Sequence, residues 1–112
     1  MLSPLGEFFN IADLVQRTGG EALVVAPNAL GVLNSVLLVL EALGTRGVEQ
    51  IKIVLTETGP VDSSHSTNLS DLKALVAPRK VHNLPFIENY RPSASCIREA
   101  APGIAGILQE LI

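Results

Sequence analysis

The side chains with which this sequence could do chemistry are few: two histidines, one cysteine and some polar residues at the ends of apolar runs. Nucleophilic or acid–base catalysis needs a base, an acid and a nucleophile within hydrogen-bond reach. His82 has no neighbouring acid or nucleophile in a matching motif and reads as a strand-edge residue. His65 falls in the polar run Asp62-Ser63-Ser64-His65-Ser66-Thr67 and reads as solvated. Cys96 has no histidine partner near it in sequence and reads as a small apolar residue. A single cysteine also excludes an internal disulfide and a multi-cysteine zinc site. These residues therefore assign no catalytic and no metal-ligating position. Phosphoryl transfer would need a Gly-x-x-x-x-Gly-Lys-[Ser/Thr] loop, and no glycine here is followed by lysine. Without that loop nothing cradles the β- and γ-phosphates of a nucleotide, and no hydroxyl is placed for Mg²⁺. The stretch Gln16-Arg17-Thr18-Gly19-Gly20 frames no anion and reads as a helix stop.

Positioning those residues falls to a chain of 112 residues, the size of one domain (1–112). With 47% hydrophobic and 17% charged residues it is predicted to fold rather than stay disordered. The net charge is −3, the lysines are Lys52, Lys73 and Lys80 alone, and the arginines are scattered. That argues against nucleic acid, which selects clustered cations. The longest apolar stretch, around Val36 to Leu40, is too short to span a bilayer, and Met1-Leu2-Ser3-Pro4 opens no signal-peptide pattern. A cytoplasmic protein without a membrane partner is the expectation.

Four helices and three strands alternate along the sequence. Asn10 with Asp13 resembles a capping box, Ile11, Leu14 and Val15 share one face, and Gly19-Gly20 ends this first helix. Ala22-Leu23-Val24-Val25-Ala26 reads as a strand buried on both faces, ended by Pro27-Asn28. A long helix from about Leu30 to Thr45 follows, then a second strand over Ile51–Thr56. Asn68 is predicted to cap a helix carrying Leu69, Leu72, Leu75 and Val76, which Pro78 ends. Lys80 to Leu84 reads as a brief third strand. Pro102 reads as the first residue of a last helix, on which Ile104, Ile107, Leu108 and Leu111 form an apolar stripe. This alternation predicts an α/β fold, a small parallel sheet of about three strands with helices packed on it. Parallel sheets are seldom so narrow. Either the domain is minimal, or an edge strand pairs with something outside this sequence; the second reading is preferred.

The long helix is apolar nearly all round. Leu33, Leu37 and Leu40 are expected to face the sheet, while Val36, Leu38 and Val39 occupy much of the remainder. Such a helix is usually buried on more than one side. Each extra Leu or Val buried is worth on the order of 1.5–3 kcal/mol, so contact with a second subunit is expected. Cover by the terminal segments is the other possibility.

The run Gly20-Glu21-Ala22-Leu23-Val24-Val25-Ala26-Pro27-Asn28-Ala29-Leu30-Gly31-Val32-Leu33-Asn34-Ser35 resembles a stretch of the dethiobiotin synthetases, in which a strand and short loop lead to Leu-Gly-x-x-Asn opening a helix. Leu38 to Leu43, the turn at Gly47 and Ile53-Val54-Leu55 follow in the same order, as do Ser3-Pro4-Leu5 and Ile11 to Leu14 upstream and Leu84-Pro85 downstream. The resemblance covers about half of the family's domain, its C-terminal half. It implies a partial P-loop-type, Rossmann-like sandwich acting as a homodimer. It also implies an enzyme that makes dethiobiotin from 7,8-diaminopelargonic acid, carbon dioxide and ATP: a carbamate forms, ATP phosphorylates it, and ring closure expels phosphate. ATP and Mg²⁺ are expected only if a P-loop-bearing N-terminal half is supplied; the chain alone is expected to bind neither and to be inactive. By the same resemblance Gly31, Leu33 and Asn34 lie on the substrate side, where a helix N-terminus meets a carboxylate; a turn and a local cap are the other reading of Gly31 and Asn34. Thr56, Glu57, Leu84 and Pro85 lie on the nucleotide side. The family often has an Asn where Thr56 stands, and a hydroxyl cannot copy a bidentate amide, so adenine recognition is weakened; a simple strand end is the other reading of Thr56 and Glu57. A further alternative is an inactive module that self-associates through helix 30–45.

Overall fold

The computed structural model describes residues 2–59, 65–88, 91 and 93–112. Strands β1 (Pro4–Gly6) and β2 (Phe9–Asn10) form a short antiparallel ribbon that the sequence reading did not anticipate. Helix α1 (Ile11–Thr18) follows directly, with Asn10 and Asp13 exchanging side-chain-to-backbone bonds as a capping box and Gly19 ending the helix at φ 62°. Then come β3 (Ala22–Pro27), α2 (Val32–Gly44), β4 (Ile51–Thr56), α3 (His65–Val76), β5 (Val81–Leu84) and α4 (Ala94–Leu111). Strands β3, β4 and β5 make one parallel sheet in that order. The α/β class and the three-strand parallel sheet expected from the sequence are both present.

The core lies between the sheet and the helices α2 and α3. Ile51, Ile53 and Leu55 of β4 meet Val36 and Leu43 of α2 and Leu72 and Val76 of α3. Val54, on the opposite face, is buried as well, so β4 is enclosed on both sides. Helix α4 contributes to that second face: Lys52 Nζ donates to the Leu111 carbonyl at 2.9 Å. Asp13 and Arg46 join α1 to the end of α2 through a 2.7 Å ion pair. Among the described residues, no helix is long and apolar enough to cross a membrane.

Several expectations are corrected. Strand β3 is not buried on both faces: Ala22 and Ala26 are covered, but Leu23 and Val25 on the alternate face are 54% and 57% exposed. Helix α4 covers the β5 side of that face and does not reach across. The face of α2 turned to the core carries Val32, Val36 and Leu43; Leu33 and Leu40 flank it, and Leu37 lies outside. Asn68 does not cap α3; the helix starts three residues earlier, at His65, and Asn68 lies on its buried face four and eight residues before Leu72 and Val76. Leu75 is consequently exposed. Pro60 to Ser64, in the expected polar loop, lie outside the described residues. Pro102 does not open the last helix. Ser93 does, accepting from the Cys96 N–H at 3.3 Å, and Pro102 sits inside α4. The proline removes one helical donor, opposite Arg98, whose exposure lets water take the carbonyl.

Replacing Leu72 with alanine should lower unfolding stability by about 2–5 kcal/mol, as expected for a fully buried leucine. Leu75→Ala, one turn away on the exposed side, should change it by less than about 0.5 kcal/mol. Urea unfolding of the two variants checks the assignment of faces.

Candidate functional site

In parallel α/β sheets the strand C-termini open onto helix N-termini, and ligands bind in that crevice. Here this end of the sheet carries a polar cluster inside an otherwise apolar protein. Asn28, the residue after β3, is 1% exposed. Its backbone N–H continues the ladder, donating to the Thr56 carbonyl at 2.8 Å. Its side-chain amide donates to Glu57 Oε1 at 2.8 Å and to the His65 carbonyl at 3.2 Å. Its Oδ1 accepts from Asn68 Nδ2 at 2.9 Å, and Asn68 also donates to the Ala29 carbonyl at 3.3 Å. Strand β3, the β4 terminus and α3 are thereby joined by two buried amides.

Glu57 is the centre of charge. Its Oε2 lies 2.9 Å from His65 Nδ1. Its N–H donates to the Leu84 carbonyl at 2.9 Å, extending the β4–β5 ladder by one residue. Partial burial by itself would raise the pKa of this carboxyl. Donors from Asn28 and Asn83, and the adjoining His65, outweigh that and hold its pKa below the ordinary 4.5. The Asn83 Oδ1 is buried with no hydrogen-bond partner among the described residues.

Beside the cluster stands the N-terminus of α2. Gly31 is its N-cap at φ 87°, with no side-chain cap. A Cβ at Gly31 would meet nothing within 4 Å, so the backbone angle and not crowding calls for glycine. The first turn accordingly presents N–H groups with no side-chain acceptor, next to a small cavity of about 110 Å³ bordered by Pro27, Leu30, Gly31 and Ser35.

The residues singled out in the sequence are thus distributed as follows. Gly31 and Asn34 lie at the α2 N-terminus, with Asn34 exposed, whereas Leu33 packs partly against the core. The Thr56 hydroxyl lies 3.4 Å from the Ala26 carbonyl, Leu84 is half-buried in β5, and Pro85 is exposed just beyond it. Both groups lie at the C-terminal end of the sheet. His65 is not solvated as expected: its side chain is buried against Glu57 as the first residue of α3. His82 is a β5 residue, as read, with Nδ1 3.8 Å from Glu110. Asn28 and Asn68 were missed as a pair, although an asparagine at i, with Leu72 and Val76 at i+4 and i+8, marks a buried polar position.

The chain is similar to dethiobiotin synthetases. It is 37% identical over 87 residues to the ATP-dependent dethiobiotin synthetase BioD of Anaeromyxobacter sp. (strain K), and equally so to that of Anaeromyxobacter dehalogenans. The match takes in 77% of this chain but only 39% of the length of those relatives. No family model matches the chain, and no solved structure does. The residues present do not fit a bound nucleoside triphosphate with its magnesium. The 112 residues contain no Gly-x-x-x-x-Gly-Lys-[Ser/Thr] loop, and the acid at the end of β4, Glu57, is engaged by Asn28 and His65.

The depressed pKa of Glu57 has a definite consequence for stability. Because the folded value lies below the unfolded one, the carboxylate stabilises the fold above the unfolded pKa. That contribution is lost as the pH falls through the folded value. Thermal midpoints recorded from pH 6 down to about 2 should therefore fall more steeply for the native protein than for Glu57→Gln.

Proposed function

We propose that this chain is the C-terminal part of a dethiobiotin synthetase-like catalyst in biotin biosynthesis, acting with a P-loop-bearing part that it lacks. The observation that carries the reading is the 37% identity to dethiobiotin synthetases over 87 residues. The candidate positions at the α2 N-terminus and at the ends of β4 and β5 all lie at the C-terminal end of the sheet, which is consistent with it. In this reading Gly31 and Asn34 meet the carboxylate end of a diaminopelargonate. Gly31 supplies no side-chain cap, so the first-turn amides beyond Val32 have no side-chain acceptor, and the partial positive charge there favours an anion. Leu33 supports that turn from the core side. Thr56, Glu57, Leu84 and Pro85 border the nucleotide base, with Thr56 offering one hydroxyl in place of an amide. The phosphates, Mg²⁺ and the lysine that neutralises them belong to the other part, so this chain contributes binding and orientation rather than phosphoryl chemistry.

Mixed or co-expressed with the P-loop-bearing portion of a dethiobiotin synthetase, the chain should give ATP-dependent formation of dethiobiotin, and neither component alone should. Asn34→Ala in that mixture should raise the KM for diaminopelargonate roughly tenfold, the loss of one charge-assisted bond, with little effect on kcat. Absence of dethiobiotin from every such mixture removes the reading.

A second reading, self-association through α2, is favoured by a specific feature. Leu38 is 56% exposed, and with Leu2, Val39 and Ala42 it borders an open apolar groove along the helix. The N-terminal segment reaches this groove without closing it. Light scattering should report a dimer that Leu38→Glu converts to a monomer with unchanged circular dichroism; a native protein that is monomeric at high micromolar concentration rules it out.

A further inference from the structure

The β5 edge of the sheet is the floor of a trough. The Glu57 N–H bonds the Leu84 carbonyl at 2.9 Å, so Leu84 and, by alternation, His82 turn their backbone groups to β4. Val81 and Asn83 turn theirs outward, and among the described residues no strand pairs with them. Helix α3 forms one wall and the end of α4 the other, enclosing a groove of about 490 Å³ along this edge. The α3 wall brings Lys73, and Arg79 and Lys80 stand where the chain enters β5. The α4 wall brings Ile107 and Glu110.

Charge in this groove is not balanced. Three of the chain's eight cationic residues border it against one of its eleven acidic ones, although the net charge of the chain is −3. Glu110 lies 3.8 Å from both Lys80 and His82, at the outer limit of an ion pair. Lys73 and Arg79 have no carboxylate at ion-pair distance among the described residues. Lysines on an edge strand commonly keep it from pairing. Such a guard occupies the positions that would pair, and here those positions are Val81 and Asn83, both uncharged. The cations stand beside them: Lys73 comes from a helix, and Arg79 and Lys80 precede the strand. A free anion would use the outward N–H groups but face the outward carbonyls of the same residues. Pairing β5 with β5 of a second copy would bring the same three cations together. A peptide strand bearing carboxylates satisfies donors, acceptors and charges at once.

We propose that the β5 edge docks an extended acidic segment of a separate polypeptide, which adds a strand to the sheet. This docking is independent of the synthetase reading. Side chains alternate along a strand, so one set of the segment's side chains faces the α3 wall and the other the α4 wall. The first set carries carboxylates toward Lys73. The second carries apolar side chains against Ile107, because a carboxylate there would face Glu110. Arg79 and Lys80 receive a further acid where the segment passes the start of β5. Val81 and Asn83 offer two outward donor–acceptor pairs, so the bonded part is short, on the order of four residues. Its affinity falls as salt screens the charges.

The test titrates the 112-residue chain with a blocked octapeptide alternating Glu and Val. Three further probes accompany it: an octapeptide alternating Glu and Pro, which carries the same charge but cannot bond as a strand, one alternating Lys and Val, and tripolyphosphate. The Glu-Val peptide should bind, and at saturation hydrogen exchange at the Val81 and Asn83 amides should slow at least about fivefold, with the Leu23 and Val25 amides unchanged. The other three probes should bind at least about tenfold more weakly. Lys73→Glu/Arg79→Glu, at two exposed positions, should keep the native circular dichroism and weaken the Glu-Val peptide at least about tenfold. Arg17→Glu, on α1, should leave binding unchanged. Equal binding of the Glu-Pro peptide or of tripolyphosphate makes the groove a patch of charge only and overturns the added strand. Equal binding of the Lys-Val peptide, or full binding by the double variant, removes the role of the cations and overturns the acidic partner. Absence of binding at millimolar peptide makes β5 a guarded edge and overturns the proposal outright. Protection of Val81 and Asn83 in a dimer of the chain alone assigns the edge to a second copy and overturns it equally.

Discussion

A sheet of three parallel strands has one interior strand, and that constraint organises the rest of the molecule. Strand β4 carries Ile51, Ile53 and Leu55 toward α2 and α3 and Val54 toward the opposite face, all buried. Strands β3 and β5 and helices α2 and α3 are placed by what they do for β4. Helices α2 and α3 cover one face because crossover connections between parallel strands bring them there. Helix α4 returns along β5 and reaches Lys52, but has no fully buried residue of its own. Among the described residues, strands β3 and β5 pair on one side only, which is why their outward faces differ so much from the centre.

The polar cluster at the C-terminal end shows how α3 is held in place. Helix α3 could slide along an apolar face at small cost, because leucine and valine contacts are not directional. The Asn28–Asn68 amide pair and the Glu57 contacts are directional, and leaving any of these buried groups unpaired would cost about 1–3 kcal/mol. They fix the rotation and height of α3 against β3 and β4. The same pairing makes Glu57 a poor candidate for a freely reactive acid: its oxygens are occupied by Asn28 and His65. Openness at this end of the sheet lies instead at the first turn of α2, which has no side-chain cap at Gly31, although the Val32 N–H bonds the Ala29 carbonyl at 3.1 Å.

The similarity to dethiobiotin synthetases and the shape of the molecule bear on each other. A chain that matches 39% of its relatives' length would be expected to show surfaces made for the remainder. Two apolar surfaces stand open among the described residues: the side of α2 around Leu38 and the edge of β3. The lysine- and arginine-lined edge at β5 provides an internal comparison, since it is a strand edge of the same sheet with the opposite character.

Local signals alone determined much of this protein. The capping box at Asn10 and Asp13, the glycine stop at Gly19 and the strand at Ile51–Thr56 depend on neighbours within a few residues, and all stand where the sequence puts them. The alternation of apolar runs and amphipathic segments likewise carries the parallel α/β class, because crossover length permits no simpler arrangement. What only the tertiary structure decided is which face of each element is covered. Leu23 and Val25 look like interior strand residues in sequence, yet α4 covers only the β5 part of their face and leaves both more than half exposed. Asn68 looks like a cap because asparagine favours that position, but Asn28 offers it a buried partner forty residues away in sequence. His65 reads as a loop residue until Glu57 is brought to 2.9 Å. Periodicity specifies that an element has two sides; only long-range packing, which no local window contains, specifies what stands against each of them.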